Sequence, residues 1–136
     1  GGGKLLQAVQ FVEDKVERYT TSTSYTDTGL SASITPTLST SKILLMWHIS
    51  NVMVATTGYG VKVLRDSTAV FTNPNKYDPY HNTGSHRTRN SWTYLDSPAT
   101  TSSITYKVQT ANLNSTAVVF NENSSQSSLL LMEIGV

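Results

Sequence analysis

The chain has 136 residues, of which 38 are Ser or Thr, 19 are charged and none is Cys. Its formal net charge of +1 gives no long-range field that would recruit nucleic acid or an anionic membrane. The absence of Cys excludes a disulfide scaffold and a thiolate metal cluster, and no apolar run approaches the roughly 20 residues that a membrane-spanning helix needs. We therefore expect a flexible glycine junction at residues 1–3 and one domain, without membrane insertion, over residues 4–136.

The first third of the chain alternates between strand patterns and polar breaks. Residues 4–12 carry apolar side chains on both faces, which is typical of a strand covered on each side. The charged run at 13–18 predicts a solvated connector, and the β-branched polar residues at 20–25 predict an edge strand. Residues 29–34 alternate between apolar and polar side chains, and Pro36 ends that strand because it has no N–H to donate.

The middle of the chain holds the most apolar segment, at residues 42–54. Its length would suit a helix, but Trp47 and its neighbours favour β-structure and no pair of capping residues brackets the run, so we expect a long central strand. Residues 61–64 and 69–71, separated by a tight turn, predict a short hairpin.

Residues 73–90 contain almost no aliphatic side chain and predict an exposed loop of about 18 residues, a length uncommon in compact domains unless the loop binds something. Strand patterns resume after it, at residues 91–95, 104–109, 117–120 and 129–134. The total of about eight or nine short strands, without a convincing helix, predicts an all-β fold: a two-sheet antiparallel sandwich of the jelly-roll kind.

Catalytic patterns are weak throughout the sequence. No Gly-x-Ser-x-Gly nucleophile elbow is present, and the nine carboxylates form no recognisable pair of the kind that glycoside hydrolysis requires. His48 lies within the central strand, opposite in face to Trp47, and we interpret it as a hydrogen-bonded structural residue. His81 and His86, with Asp78 nearby, are too few and too loosely spaced to predict a metal site. We expect no enzymatic activity, no metal and no cofactor.

The predicted loop and the strand after it concentrate aromatic rings and forked donors, a mixture enriched where proteins recognise partners. Aromatic rings also stack on sugar faces. An equally weighted interpretation is that these side chains pack the loop down or meet a sister subunit. The candidate ligand- or receptor-binding residues are Tyr77, Tyr80, His81, His86, Arg87, Arg89 and Trp92.

Four segments, at residues 3–10, 29–36, 41–44 and 95–109, follow a recognisable order, and the last contains Ser-Pro-Ala-Thr-Thr-Ser and Thr-Tyr-Lys-Val-Gln. In this order they resemble the C-terminal β-domain of tail-fibre, head-fibre and other virion proteins of marine and other bacteriophages. The resemblance spans nearly the whole chain except residues 73–90, so no binding residue is carried over from it.

The resemblance implies a non-enzymatic structural and adhesion domain, displayed on the virion as a homotrimeric fibre head and joined to upstream fibre or other virion proteins. Its exposed loops would contact a glycan or protein of the host surface. The apolar pattern of the first and last strands agrees, because surface of that kind suits contacts between sister subunits. Three alternatives remain: a capsid decoration or head-fibre protein without a receptor role, a lectin-like carbohydrate-binding module, and a polysaccharide depolymerase domain.

Overall fold

The computed structural model describes residues 2–13 and 16–136, which form eleven β-strands and a 3-10 turn at Glu122–Ser124. Residue 1 of the expected junction, and residues 14 and 15 of the charged run, lie outside the described residues. Within the described ranges no helix is long and apolar enough to cross a membrane. The strands are β1 (Lys4–Glu13), β2 (Arg18–Thr20), β3 (Thr26–Ile34), β4 (Lys42–Met53), β5 (Thr57–Arg65), β6 (Thr68–Thr72), β7 (Tyr80–His81), β8 (His86–Asp96), β9 (Ile104–Asn112), β10 (Val118–Phe120) and β11 (Ser127–Gly135).

The strands form two antiparallel sheets, which confirms the predicted sandwich. Sheet A has the order β1-β11-β4-β10-β2, with β8 on the other edge of β4. Sheet B has the order β3-β9-β5-β6, with the short β7 also paired to β5. The central position of β4 follows from its length, because its 12 residues pair with β8 along one edge and with β11 and then β10 along the other.

The core lies between the sheets and is filled by alternate residues of each strand. Trp47 of β4 lies at its centre, with its ring stacked on Trp92 at 6.0 Å and edge-on to Phe71 at 5.6 Å between ring centroids. Tyr59 is fully buried, and its ring meets Phe120 edge-on at 5.4 Å. Burying each such side chain contributes about 1.5–3 kcal/mol, so the aromatic cluster is a main source of stability.

Two buried carboxylates tie strands together. Asp96, at the end of β8, accepts two bonds from the Arg65 guanidinium at 2.7 and 2.8 Å and one from the Tyr106 hydroxyl at 2.6 Å. Burial and the adjacent carboxylate raise the pKa of Tyr106, so its hydroxyl remains a donor. Because Asp96 and Arg65 belong to different sheets, this ion pair joins the two layers.

Glu133, on the inward face of β11, is fully buried. One carboxylate oxygen accepts from the backbone N–H and hydroxyl of Thr37 and from the Ser41 hydroxyl, at 2.7 to 2.8 Å, and the other accepts from the Gln7 amide at 2.6 Å. Burial alone would raise the pKa of Glu133, but these hydrogen bonds outweigh it and lower the pKa to about 2.

Four local expectations are wrong, and the first is the edge strand at residues 20–25, because β2 ends at Thr20. Residues 4–12 are not covered on both sides, because β1 is an edge strand and its outward side chains, such as Leu5 and Val12, are exposed. The charged run is not a solvated connector at its ends, because Glu13 is buried in β1 and pairs with Arg18 of β2 at 2.7 Å. The expected loop at 73–90 is interrupted by β7 and by the first five residues of β8, which gain ladder partners on β5 and β4.

Candidate functional site

The seven predicted binding residues do not form one surface, because β7 and β8 belong to different sheets. The structure distributes them over three neighbouring regions. The first is the Tyr–His cluster, formed by Tyr77, Tyr80, His81 and His86. The second is an arginine cleft that contains Arg87 and Arg89. The third is a tryptophan cleft beside Trp92.

The Tyr–His cluster lies where the chain crosses from sheet B to sheet A. Tyr77 and Tyr80 are both exposed, and their rings are 5.2 Å apart at a tilt of 52°. The segment that presents them is held by short-range bonds, in which the N–H of Tyr77 donates to the Asn75 side chain at 3.1 Å. The two rings therefore form an exposed aromatic surface that is fixed by its own turn.

His81 and His86 flank the turn between β7 and β8, and their rings stack at 4.0 Å with planes 10° apart. Gly84, with a φ of +57°, provides the left-handed turn residue that this short connection uses. Imidazole nitrogens bind metal in the ring plane, so two parallel stacked rings cannot both direct a lone pair at one ion. Asp78 does not join them, and within residues 2–13 and 16–136 no three His, Asp or Glu side chains are grouped for a metal.

The arginine cleft lies on the outward face of sheet A and has a volume of about 220 Å³. Arg87 and Arg89 point to the same side because they alternate along β8, opposite Val52 and Ser50 of β4. Arg87 forms an ion pair with Glu122. Arg89 donates to the backbone carbonyl of Gln126 at 3.3 Å. The residues that line the cleft include Ser50, Val52, Arg87, Arg89, Glu122 and Ser125.

Glu122 and Ser125 were not predicted from the sequence. They come from the connection between β10 and β11, more than 30 residues after the arginines, and no local pattern marks them. The cleft combines two forked cationic donors with one carboxylate and several hydroxyl groups. Such a surface can hydrogen-bond to a polar or anionic group, but the Arg87–Glu122 pair neutralises part of its charge.

The tryptophan cleft, of about 260 Å³, opens between β8 and the segment that precedes β7, and is lined by Asp78, Pro79, Asn90, Ser91 and Trp92. Trp92 is half-buried, and its ring packs against Trp47 in the core. The side-chain amide of Asn90 donates to the side-chain oxygen Oδ1 of Asn51 and to the Thr88 hydroxyl, each at 3.0 Å. The cleft thus offers one carboxylate and one fixed amide beside an aromatic edge.

His48 lies outside these regions, on the outward face of β4, and is half-buried. The expected hydrogen bond is absent at one nitrogen, because Nδ1 is buried and has no partner in the described chain. Burial, together with the positive charge of Arg89, lowers the pKa of His48. The ring is therefore neutral at pH 7.

Comparison of the fold with solved structures gives viral and bacterial matches. The chain is similar to the protein in the crystal structure of the infectious bursal disease virus VP2 subviral particle, with a TM-score of 0.60 and 13% identity over 96% of this chain and 33% of that chain. A structure of the infectious bursal disease virus Gx strain gives 0.47 and 14% identity over 95% and 39% of the two chains. Dimeric latent PorU from Porphyromonas gingivalis gives 0.33 and 9% identity over 99% and 14%.

No protein-family model matches the sequence, and no curated protein matches it. The present chain spans about a third of the length of the first virus protein, and at 13% identity the likeness concerns the fold alone. The chain therefore has a β-sandwich fold that is also found in a protein of a subviral particle.

Proposed function

We propose that this chain is a non-enzymatic structural and adhesion domain of a virion, carried on a bacteriophage fibre as a homotrimeric head that contacts the host surface. The observation that carries the proposal is the sandwich fold shared with the protein of a viral particle, at a TM-score of 0.60 over nearly the whole chain. The ordered segments that resemble phage fibre domains support the same class of protein.

The Tyr–His cluster is the surface we assign to adhesion. Tyr77 and Tyr80 are exposed, yet their turn holds them in place, so little conformational entropy is lost when they contact a ligand. The tryptophan cleft adjoins this segment through Asp78 and Pro79, and its carboxylate and amide can bond to hydroxyl groups. Aromatic rings beside such groups suit a sugar, so a host glycan is the ligand we favour.

The exposed rings of Tyr77 and Tyr80 beside these polar groups also favour a lectin-like carbohydrate-binding module, which is the second candidate function. A depolymerase is less well supported, because hydrolysis of a glycosidic bond needs two carboxylates about 5–10 Å apart. Among the carboxylates of residues 2–13 and 16–136, Glu122 alone lines the arginine cleft and Asp78 alone lines the tryptophan cleft.

Adhesion is tested by comparing labelled wild-type protein with the Tyr77→Ala/Tyr80→Ala double variant on a panel of bacterial cells and on a glycan array. Tyr19→Ala is the matched control, because Tyr19 is also exposed but lies on β2, away from the cluster. Aromatic contacts of this kind contribute about 1–2 kcal/mol each, so we expect binding to fall about tenfold or more in the double variant and to stay unchanged in the control.

Unchanged binding by the double variant would overturn the assignment of adhesion to this cluster. Absence of binding to every cell and glycan would favour a decoration protein without a receptor role. A fall in the viscosity of a host polysaccharide on incubation with the protein would overturn the non-enzymatic assignment.

A further inference from the structure

The outward faces of the two sheets differ sharply in chemistry. On sheet B the outward side chains are polar and bond to one another: Ser33 and Thr105 are 2.7 Å apart between hydroxyl oxygens, and Asp27 accepts from Gln109 at 2.8 Å. This face has the composition expected of a surface in contact with water. The outward face of sheet B therefore shows what a solvated sheet face looks like in this molecule.

On the part of sheet A beyond the arginine cleft, most outward side chains are apolar. The registers align them in rows that cross four strands in the order β1, β11, β4, β8, so that neighbouring residues in a row point to the same side. One row is Ala8, Met132, Leu44 and Leu95, and the next is Gln10, Leu130, Met46 and Thr93. We call these rows, with Val12 and Ile134 beside them, the apolar face.

The apolar face is exposed in the single chain. Leu95 is 48% exposed, Val12 43% and Met46 41%, although all lie within regular strands. Between Lys42 at one end of β4 and Arg89 at the other end of the face, none of the outward residues of these four strands is charged. Contiguous apolar surface without charges is the composition of an interface centre rather than of a solvated sheet.

The size of the face suits the centre of a subunit interface. Four strands about 4.8 Å apart overlap along seven residues of β4, Lys42 to His48, which rise about 3.3 Å each, so the apolar face is about 19 Å by 23 Å, or about 440 Å². A stable interface of standard size buries about 800 Å² on each partner. The face can therefore supply the apolar centre of an interface, about half of the standard area, and the strand edges beside it would supply the rest.

We infer that the apolar face is the surface through which three copies of this chain assemble, with the face of each copy turned toward a common three-fold axis. This inference rests on the homotrimer of the proposed function and specifies which surface forms it. A second copy is the occupant because an uncharged apolar face matches another of its kind, whereas it offers nothing to a charged partner such as nucleic acid.

The geometry of a three-sided prism supports three copies. In a prism with sides about 19 Å wide, each sheet lies about 5.5 Å from the axis. Facing sheets in proteins pack about 10 Å apart, so one layer of side chains fills about 5 Å on each side. The side chains of the three faces would therefore fill the space around the axis. Met46 and Leu130 are paired across the two middle strands, so they lie nearest the axis. A concavity of about 280 Å³ beside them, lined also by Gln10, His48 and Thr93, would receive side chains of the neighbouring copy.

The corners of such a prism would bring β1 of one copy beside β8 of the next. Both are edges of sheet A, and edges with free backbone groups and exposed apolar side chains are normally covered. Leu5 of β1, which is exposed and lies opposite Ile134 on the outward face, would then be shielded at a corner. The assembly therefore accounts for the uncovered edge as well as for the face.

The test compares the solution mass of the wild type with that of Met46→Glu by size exclusion with light scattering. The matched control is Ser33→Glu, which places the same charge on the outward face of sheet B. We expect a wild-type mass three times the 14.8 kDa of one chain, a folded monomer for Met46→Glu, and an unchanged trimer for Ser33→Glu. Far-ultraviolet circular dichroism and tryptophan fluorescence check that each variant is folded.

The outcomes separate this inference from the proposed function. A trimeric wild type with a trimeric Met46→Glu variant would overturn the assigned face while leaving the homotrimer intact. A monomeric or dimeric wild type would overturn the three-fold assembly itself, whereas the adhesion assay tests the role of the domain on its own.

A cysteine variant keeps the inference testable if Met46→Glu fails to fold. Because the chain has no native Cys, Met46→Cys introduces a single thiol near the axis. A short thiol-specific cross-linker should join chains of Met46→Cys, and should not join chains of Ser33→Cys. Equal cross-linking of the two variants, or none in either, would overturn the inference.

Discussion

Glu133 offers the sharpest test of how the sandwich is held together. Its buried carboxylate accepts four hydrogen bonds that tie β11 to Gln7 of β1 and to Thr37 and Ser41 in the connection before β4. In Glu133→Gln the amide oxygen can keep the bonds to Thr37 and Ser41. The amide nitrogen would face the Gln7 nitrogen, which now donates at 2.6 Å, so two donors would oppose each other.

The magnitude follows from the pKa of Glu133. The pKa falls from an ordinary value of 4.5 to about 2, and at about 1.4 kcal/mol for each tenfold change the charged form is favoured in the folded state by about 3 kcal/mol. Because the folded pKa is lower than the unfolded one, this contribution is complete above about pH 5 and is lost as the pH falls toward 2. Glu133→Gln should therefore lower the free energy of unfolding by about 3 kcal/mol at pH 7 and by much less at pH 2.5.

The assay is urea unfolding followed by tryptophan fluorescence at pH 7 and pH 2.5, with every sample at one protein concentration so that assembly does not alter the comparison. Glu122→Gln is the control, because Glu122 forms a more exposed ion pair with Arg87 and should contribute less than about 1 kcal/mol. A loss for Glu133→Gln that is equal at the two pH values would refute the reasoning, as would a loss no larger than that of the control.

Two further predictions concern the Asp96–Arg65 ion pair and two glycines of positive φ. Asp96→Ala should lower the free energy of unfolding by about 3–5 kcal/mol, because it leaves the Arg65 guanidinium without its carboxylate; chemical denaturation measures this, and a loss under about 1 kcal/mol would contradict it. Gly29→Ala should cost more than Gly84→Ala. Both glycines have positive φ, but a Cβ at Gly29 would overlap Arg18 Nη2, whereas one at Gly84 meets no atom within 4 Å. Thermal unfolding of the two variants compares them, and a loss for Gly29→Ala no larger than that for Gly84→Ala would contradict this prediction.

The sequence was most informative where side-chain period and local turns decide the structure. The period of two across residues 29–34 and 104–109, together with the apolar segment around Trp47, predicted strands that the structure contains. The hairpin was also predicted correctly, because β5 and β6 are joined by a two-residue turn whose Asp66 has a φ of +53°. In each case the information is local.

Other features could not be predicted because distant residues create them. The burial of Glu133 within an apolar strand looks unfavourable until its donors are known, and these lie 92 to 126 residues away in the chain. The strand β7 has two residues and exists only because β5 offers it ladder partners. In the same way, Arg87 and Arg89 predict a shared face once β8 is known, but Glu122 reaches them only through the tertiary fold.

The Ser- and Thr-rich composition has different meanings on the two outward faces. On sheet B, hydroxyl side chains such as Ser33 and Thr105 form a polar surface suited to contact with water. On sheet A the central rows instead carry Leu and Met, so the two outward faces differ in composition. Under the proposed assembly sheet A would face the axis and sheet B the solvent. Tyr80 belongs to β7, which is paired to sheet B, so the surface assigned to adhesion and the surface assigned to assembly would not compete.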